Sequence, residues 1–196
     1  MRAFPPGVAQ SGVHHRKSVR LRGYDYSQVG GYFITICTFE KKCLLGFVKG
    51  DGVQLSQIGK IVSQFWYEIP THFENVQLDA FVVMPNHIHG IIMIANQRRG
   101  VKFNAPTKAR DYHSRISPGQ GTIPVIVRTY KAAVSRWCNR NGYEPFRWQR
   151  NYYEHIVRGE RDLAEIREYI VNNPLKWDLD NENPDYVRTT LQGVTI

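Results

Sequence analysis

The chain is short of acid and of cysteine, and it has no long apolar run. Its 196 residues carry 17 Asp and Glu against 26 Lys and Arg, a net charge of +9. So few acids disfavour a basic partner and favour a polyanion such as nucleic acid. The three cysteines, Cys37, Cys43 and Cys138, are odd in number and form no C-x-x-C pair. That argues against a disulfide framework and a zinc ribbon, and fits free thiols in a reducing compartment. The opening MRAFPPGVAQSG lacks the apolar core of a signal peptide. No stretch reaches the ~18 apolar residues of a membrane span. These absences predict a cytoplasmic protein with no membrane partner. What is present is 42% hydrophobic and 12% aromatic residues, a composition of folded rather than disordered chains, at a length that suits one domain with a proper core.

Residues 1–22 hold Arg2, Arg16, Lys17, Arg20 and Arg22 and no acid, which reads as a basic, partly mobile arm or a solubilising tail. The arm runs into Tyr24 and Tyr26. Cations meet phosphates and aromatic faces stack on unpaired bases, so the mixture suits single strands. From Gly31, YFITICTF is β-branched and aromatic and predicts a strand. In LSQIGKIVSQFWYEI, Leu55, Ile58, Ile61, Val62, Phe65 and Ile69 recur at helical spacing, with Ser56 as N-cap and Pro70 as terminator. VQLDAFVVM and HIHGIIMIA read as two strands joined at Pro85-Asn86. Residues 96–121 carry six basic residues and one acid without periodicity, either a flexible basic loop closing over nucleic acid or a disordered insertion. A helix over 123–138, a short strand near WQRNYYEHIV and a last helix from about Asp162 complete the 23–180 domain, followed by a tail over 181–196.

Two features carry possible chemistry. His87 and His89 flank Ile88 in an apolar strand, and alternation puts both imidazoles on one face, ~6–7 Å apart at Cα. Paired imidazoles there either converge on a metal ion or satisfy local hydrogen bonds. In the last helix, Leu163, Ile166 and Ile170 make the core stripe, while Glu165, Tyr169 and Asn173 share a neighbouring face. Pro174 forces the end. A tyrosine beside an amide at a helix end offers a nucleophile and an oxygen ligand at fixed spacing, or simply half-buried packing.

The HIH triplet followed by YIVNNPLKW resembles the HUH single-tyrosine transposases, and within them the REP-associated tyrosine transposases. RKSVRLRGYDYSQVGGYFITICT, FVVMPNHIHGIIMI and WQRNYYEHIVRGERDLAEIREYIVNNPLKW are similar to that branch, so the resemblance spans roughly residues 16–177. It implies that His87, His89 and Asn173 hold Mg²⁺ or Mn²⁺, that Tyr169 is the catalytic nucleophile, and that Tyr152 and Tyr153 are rivals for that role. It implies DNA contacts from Arg16, Lys17, Arg20, Arg22, Tyr24 and Tyr26, with His155 either near the DNA or structural. The implied substrate is single-stranded DNA bearing a hairpin, cut through a 5′-phosphotyrosine, in a bacterial, nucleoid-associated monomer or homodimer. Imidazole favours softer ions than Mg²⁺, so weak metal binding completed by DNA phosphate is expected.

The element order predicts an α+β fold with an antiparallel sheet and helices mainly on one face; the resemblance makes it a ferredoxin-like sandwich. Two rival functions follow from the same residues: a non-catalytic, regulatory nucleic-acid binder, and a metal-dependent hydrolase that uses water.

Overall fold

The structure, a computed structural model, describes residues 25–95, 121–143, 145–180 and 182–184. Strand β1 spans Gly30–Cys37, and a hairpin of β2 (Gly46–Lys49) and β3 (Gly52–Leu55) leads into helix α1 (Gln57–Tyr67) and the single turn α2 (Ile69–His72). Strands β4 (Val76–Val83) and β5 (His87–Ile94) follow, then helix α3 (Ile123–Arg140), strand β6 (Tyr153–Ile156) and helix α4 (Glu160–Asn172). A 3₁₀ helix over Pro174–Leu179 runs on from α4.

The main sheet has the order β4-β5-β1-β6, with every pair antiparallel. Numbered within that sheet alone, this is 2-3-1-4, the ferredoxin-like arrangement expected from sequence. Alternation sorts the side chains into two layers. Tyr32, Ile34, Ile36, Ile88 and Ile92 pack with Val62 and Trp66 of α1 and Val127 and Tyr130 of α3. Phe33 and Ile91 point the other way and pack with Leu163 and Ile170 of α4. Among the described residues, two long helices therefore cover one face and α4 crosses the other. That second face is the one on which His87 and His89 stand.

Three local expectations shift. Leu55 ends β3 rather than starting the helix, and the β2–β3 hairpin was not anticipated because its strands are only four residues long. Ser56 does cap α1, accepting from the Gly59 amide at 3.1 Å. Pro70 sits in the first turn of α2 rather than ending α1, a place where its missing N–H costs nothing. The last helix begins at Glu160. Asp162, where the sequence placed the start, lies inside it and accepts from the Arg158 amide at 2.8 Å.

Candidate active site

Strand β5 is buried along nearly its whole length, and His87 and His89 are 0% and 3% exposed. Gly90 makes this possible on the opposite face: a Cβ there would run into the Trp66 indole, so the strand lies close against α1 only because position 90 has no side chain. The two imidazoles meet, with Nε2 of His87 3.0 Å from Nε2 of His89.

Each ring is oriented from behind. The amide nitrogen of Asn86 donates to the Lys41 carbonyl at 2.9 Å and to the Glu182 carbonyl at 2.6 Å. Those two acceptors fix the amide's direction, so Asn86 Oδ1 faces His87 Nδ1 at 2.8 Å and that ring nitrogen must donate. Nε2 of His87 is left with its lone pair turned into the site. His89 Nδ1 lies 2.8 Å from the Thr35 hydroxyl, which can give or take a proton. Such outer partners set tautomer and direction in metal-binding histidines. Burial keeps both rings neutral, lowering His87 to about 4 and His89 well below its usual range, with His87 a second cause for His89.

Helix α4 brings Tyr169 over this pair. The Tyr169 hydroxyl lies 3.3 Å from His89 Nε2, and its ring stands edge-on to Phe33 at 6.0 Å. A bidentate bond from Arg167 to Asp79 ties α4 to the β-bulge in β4, where the register slips between Leu78 and Phe81. Tyr169 remains 44% exposed, open to a substrate. Its phenol is shifted upward, first by burial and then by the charge of Asp180, while a hydrogen bond with Asn173 pulls it down and Glu182 pushes it up.

Asn173 closes α4 at 3% exposure, and its Oδ1 is buried without a hydrogen-bond partner. The chain then turns through the 3₁₀ helix, and Trp177 comes within 6.1 Å of the His87 ring. Asp180 follows, its Oδ2 at 3.8 Å from His87 Nε2. Ligand atoms of His87, His89 and Asp180 all lie within 4.8 Å of one another. Asp180, Asn86 and Thr35 were not singled out in the sequence. Asp180 sits at the end of the 23–180 domain among the acids of WDLDNENPD, and nothing in that spacing points to β5.

The remaining sequence-predicted residues lie elsewhere. Tyr152 packs into the core on the far side of the sheet. Tyr153 is on the site's side, 53% exposed, with its ring 6.4 Å from Phe33. His155 is bound to Asp162 at 2.9 Å and so joins β6 to the first turn of α4. Tyr26, expected at a DNA surface, is instead buried at 8% exposure, its ring 6.2 Å from that of Tyr32. It belongs to the core cluster with residues of β1 and α3. Arg16, Lys17, Arg20, Arg22, Tyr24 and most of the 96–121 loop lie outside the described residues. Glu182, expected in the tail, packs on the domain through Lys41 at 3.2 Å.

No protein-family model matches the chain. An uncharacterized protein of Haemophilus influenzae is 46% identical over 170 residues, covering 87% of this chain and 94% of its own. A second protein of the same organism, provisionally named a REP-associated tyrosine transposase, is 28% identical over 110 residues, about half of each chain. Among solved structures, a REP-associated tyrosine transposase bound to a REP hairpin superposes with a TM-score of 0.53 at 20% identity. That match covers 80% of this chain and 73% of its own. The chain thus belongs to one family with the first Haemophilus influenzae protein, and it is similar to REP-associated tyrosine transposases in sequence over about half its length and in fold.

Proposed function

We propose that the protein is a metal-dependent, single-strand DNA endonuclease and strand transferase with Tyr169 as its nucleophile. The observation that carries this reading is the Tyr169 hydroxyl 3.3 Å from His89 Nε2, above two imidazoles whose Nε2 atoms converge.

The donor set fits a divalent ion. A separation of 3.0 Å between the two Nε2 atoms matches adjacent ligands at ~2.1 Å bonds and a right-angle geometry. Both rings are neutral, as ligation requires. The buried Asn173 Oδ1, without a hydrogen-bond partner among the described residues, is an acceptor that a cation would complete. His87, His89 and Asn173 would hold Mg²⁺ or Mn²⁺, which when bound supplies Lewis acidity to the oxygens of the scissile phosphate.

The chain's own residues do the rest. Asn86 and Thr35 hold the rings, and the Arg167–Asp79 pair holds α4 at its register. Tyr169 attacks phosphorus in line; the tyrosyl O–P bond forms as the bond to the 3′-oxygen breaks. The phenolic proton is lost and the 3′-oxygen gains one, leaving a 5′-phosphotyrosine and a free 3′-OH. The 3′-OH of another strand can reverse the step and rejoin, because the covalent link conserves the energy of the broken bond. Burial and the nearby acids oppose ionisation of Tyr169, so a cation in the site is needed to work in the other sense.

The substrate in this reading is a single strand next to a hairpin, held by the Arg16–Tyr24 arm and the basic 96–121 loop in a bacterial, nucleoid-associated protein. The related transposase solved with a REP hairpin supports this choice. Tyr169 meets the histidines of its own chain, so a monomer can assemble the site. Among the described residues, no helix is long and apolar enough to cross a membrane.

The test is incubation with hairpin-bearing single-stranded DNA and Mn²⁺, followed by a denaturing gel. A slow-migrating covalent adduct is expected. Cleavage without any adduct would instead support water as the nucleophile, and DNA binding with neither would support a regulatory binder.

A further inference from the structure

We propose that Asp180 is a direct metal ligand, completing a site of two histidines and one carboxylate from beyond the tyrosine helix. The proposal rests on the preceding reading that His87 and His89 hold a divalent ion, and it adds a charged ligand to that set.

The case begins with the two carboxylate oxygens, which are treated differently. Oδ1 accepts from the Glu182 amide at 2.8 Å, an ordinary local turn. Oδ2 is buried and, among the described residues, has no hydrogen-bond partner, in a side chain only 10% exposed. A buried carboxylate oxygen left bare is costly unless something positive completes it. Its near neighbour offers nothing of the kind. His87 Nε2, 3.8 Å away, is the nitrogen that the Asn86 contact leaves with a lone pair. Oδ2 and His87 Nε2 are thus two acceptors with no donor hydrogen between them. A cation placed between them and His89 Nε2 satisfies all three atoms at once.

Asp180 is also held in place rather than trailing. Lys41 binds Glu182 at 3.2 Å, Asn86 donates to the Glu182 carbonyl at 2.6 Å, and Asn183 donates to the Trp177 carbonyl at 3.1 Å. Asn86 therefore orients His87 with one end of its amide and fixes the Asp180 segment with the other. That one side chain sets the positions of two ligands.

The chemical consequence is selective. Two imidazoles and an amide form a neutral set that binds hard ions poorly, whereas a carboxylate contributes charge and the oxygen donor that Mn²⁺ and Mg²⁺ prefer. The ion would then be held before DNA arrives, contrary to the expectation that substrate phosphate must complete the shell.

Mn²⁺ titration of the full-length, DNA-free protein, followed by the electron paramagnetic resonance of free Mn²⁺, tests this. Wild type should bind one ion, and Asp180→Asn and Asp180→Ala should each weaken it by about tenfold or more. Histidine nitrogen couplings of bound Mn²⁺, read by pulsed resonance, should persist in both variants and be lost when His87 and His89 are both replaced by alanine, and melting temperatures of the Asp180 variants should stay close to wild type. Unchanged Mn²⁺ affinity in Asp180→Asn, with loss in His87→Ala, would overturn the carboxylate ligand and leave the histidine site standing. No binding by wild type without DNA would also overturn it, while adduct formation at Tyr169 would still uphold the enzymatic reading. Tighter DNA binding by Asp180→Asn at unchanged metal affinity would mark the carboxylate as a stand-in for phosphate, again against the proposal.

Discussion

The Tyr169 hydroxyl and Nε2 of His89 lie 3.3 Å apart although eighty residues separate them in the chain. That contact joins α4, which crosses the second face of the sheet, to the strand carrying both histidines. Removing the phenolic oxygen alone should therefore separate chemistry from binding. Tyr169→Phe is expected to abolish cleavage of hairpin-bearing single strands while DNA affinity, read by fluorescence anisotropy, changes less than about twofold, since no positive charge is removed. The ring still packs on Phe33, so the melting temperature should hold. A Tyr169→Phe protein that still cuts would remove Tyr169 from the reaction.

The buried histidines make a pH prediction. His87 is lowered from 6.5 in the unfolded chain to about 4 in the folded one, by burial first. Between those values the unfolded state binds more protons, so stability is complete above pH ~6.5 and is lost as the pH falls toward ~4. If His87 acted alone the loss would be on the order of 3 kcal/mol. His89, lowered in the same direction, steepens it. Melting temperature against pH should therefore fall through this window for wild type and fall less steeply for His87→Ala. Parallel curves would mean that the histidine is not buried as a neutral ring. At neutral pH each alanine variant should lose metal-dependent activity; a drop of more than ~10 °C in melting temperature would point to packing as the main role instead.

Much of this arrangement was legible in the sequence. Alternation in HIHGIIMI put the histidines on one face, and the Leu163, Ile166, Ile170 stripe showed which side of α4 is buried. The antiparallel sheet followed from the element order, and its ferredoxin-like form from the family resemblance. What stayed hidden depended on contacts between distant segments. Asn86 looked like a turn residue and Thr35 like an ordinary strand residue. Asp180 stood at the end of the domain and Glu182 in the tail, neither with a role, because nothing local shows that the 3₁₀ helix brings the chain back beside His87. Tyr26 read as a stacking residue because a tyrosine among arginines has that composition, whereas its burial beside Tyr32 depends on how the chain ahead of β1 packs.

Gly90 provides a test of how β5 is seated. An added Cβ would overlap the Trp66 indole, and overpacking of this kind costs roughly 1–3 kcal/mol. Gly90→Ala should lower the melting temperature by several degrees. Combined with Trp66→Phe it should cost less than the two changes added together, because the smaller ring makes room. Strict additivity in denaturant titrations would contradict the close approach.

The basic arm, which lies outside the described residues, is assigned to recognition and not to chemistry. Deleting residues 1–22 should weaken binding to single-stranded hairpin DNA and flatten its salt dependence, by ~0.7 in the logarithmic slope for each phosphate that the arm no longer neutralises. Cleavage at saturating DNA should survive. A deletion that alters neither affinity nor slope would exclude the arm from DNA binding.

The claim that Tyr169 forms the covalent bond can be read from one tryptic digest. Cleavage after Arg167 and Lys176 isolates Tyr169 in a peptide of residues 168–176, while cleavage after Arg150 and Arg158 isolates Tyr152 and Tyr153 in residues 151–158. The adduct formed with hairpin-bearing single-stranded DNA and Mn²⁺ is trimmed with nuclease, digested and analysed by mass spectrometry. The account predicts a nucleotide phosphate on the 168–176 peptide alone. The same modification on the 151–158 peptide, with 168–176 unmodified, would contradict it.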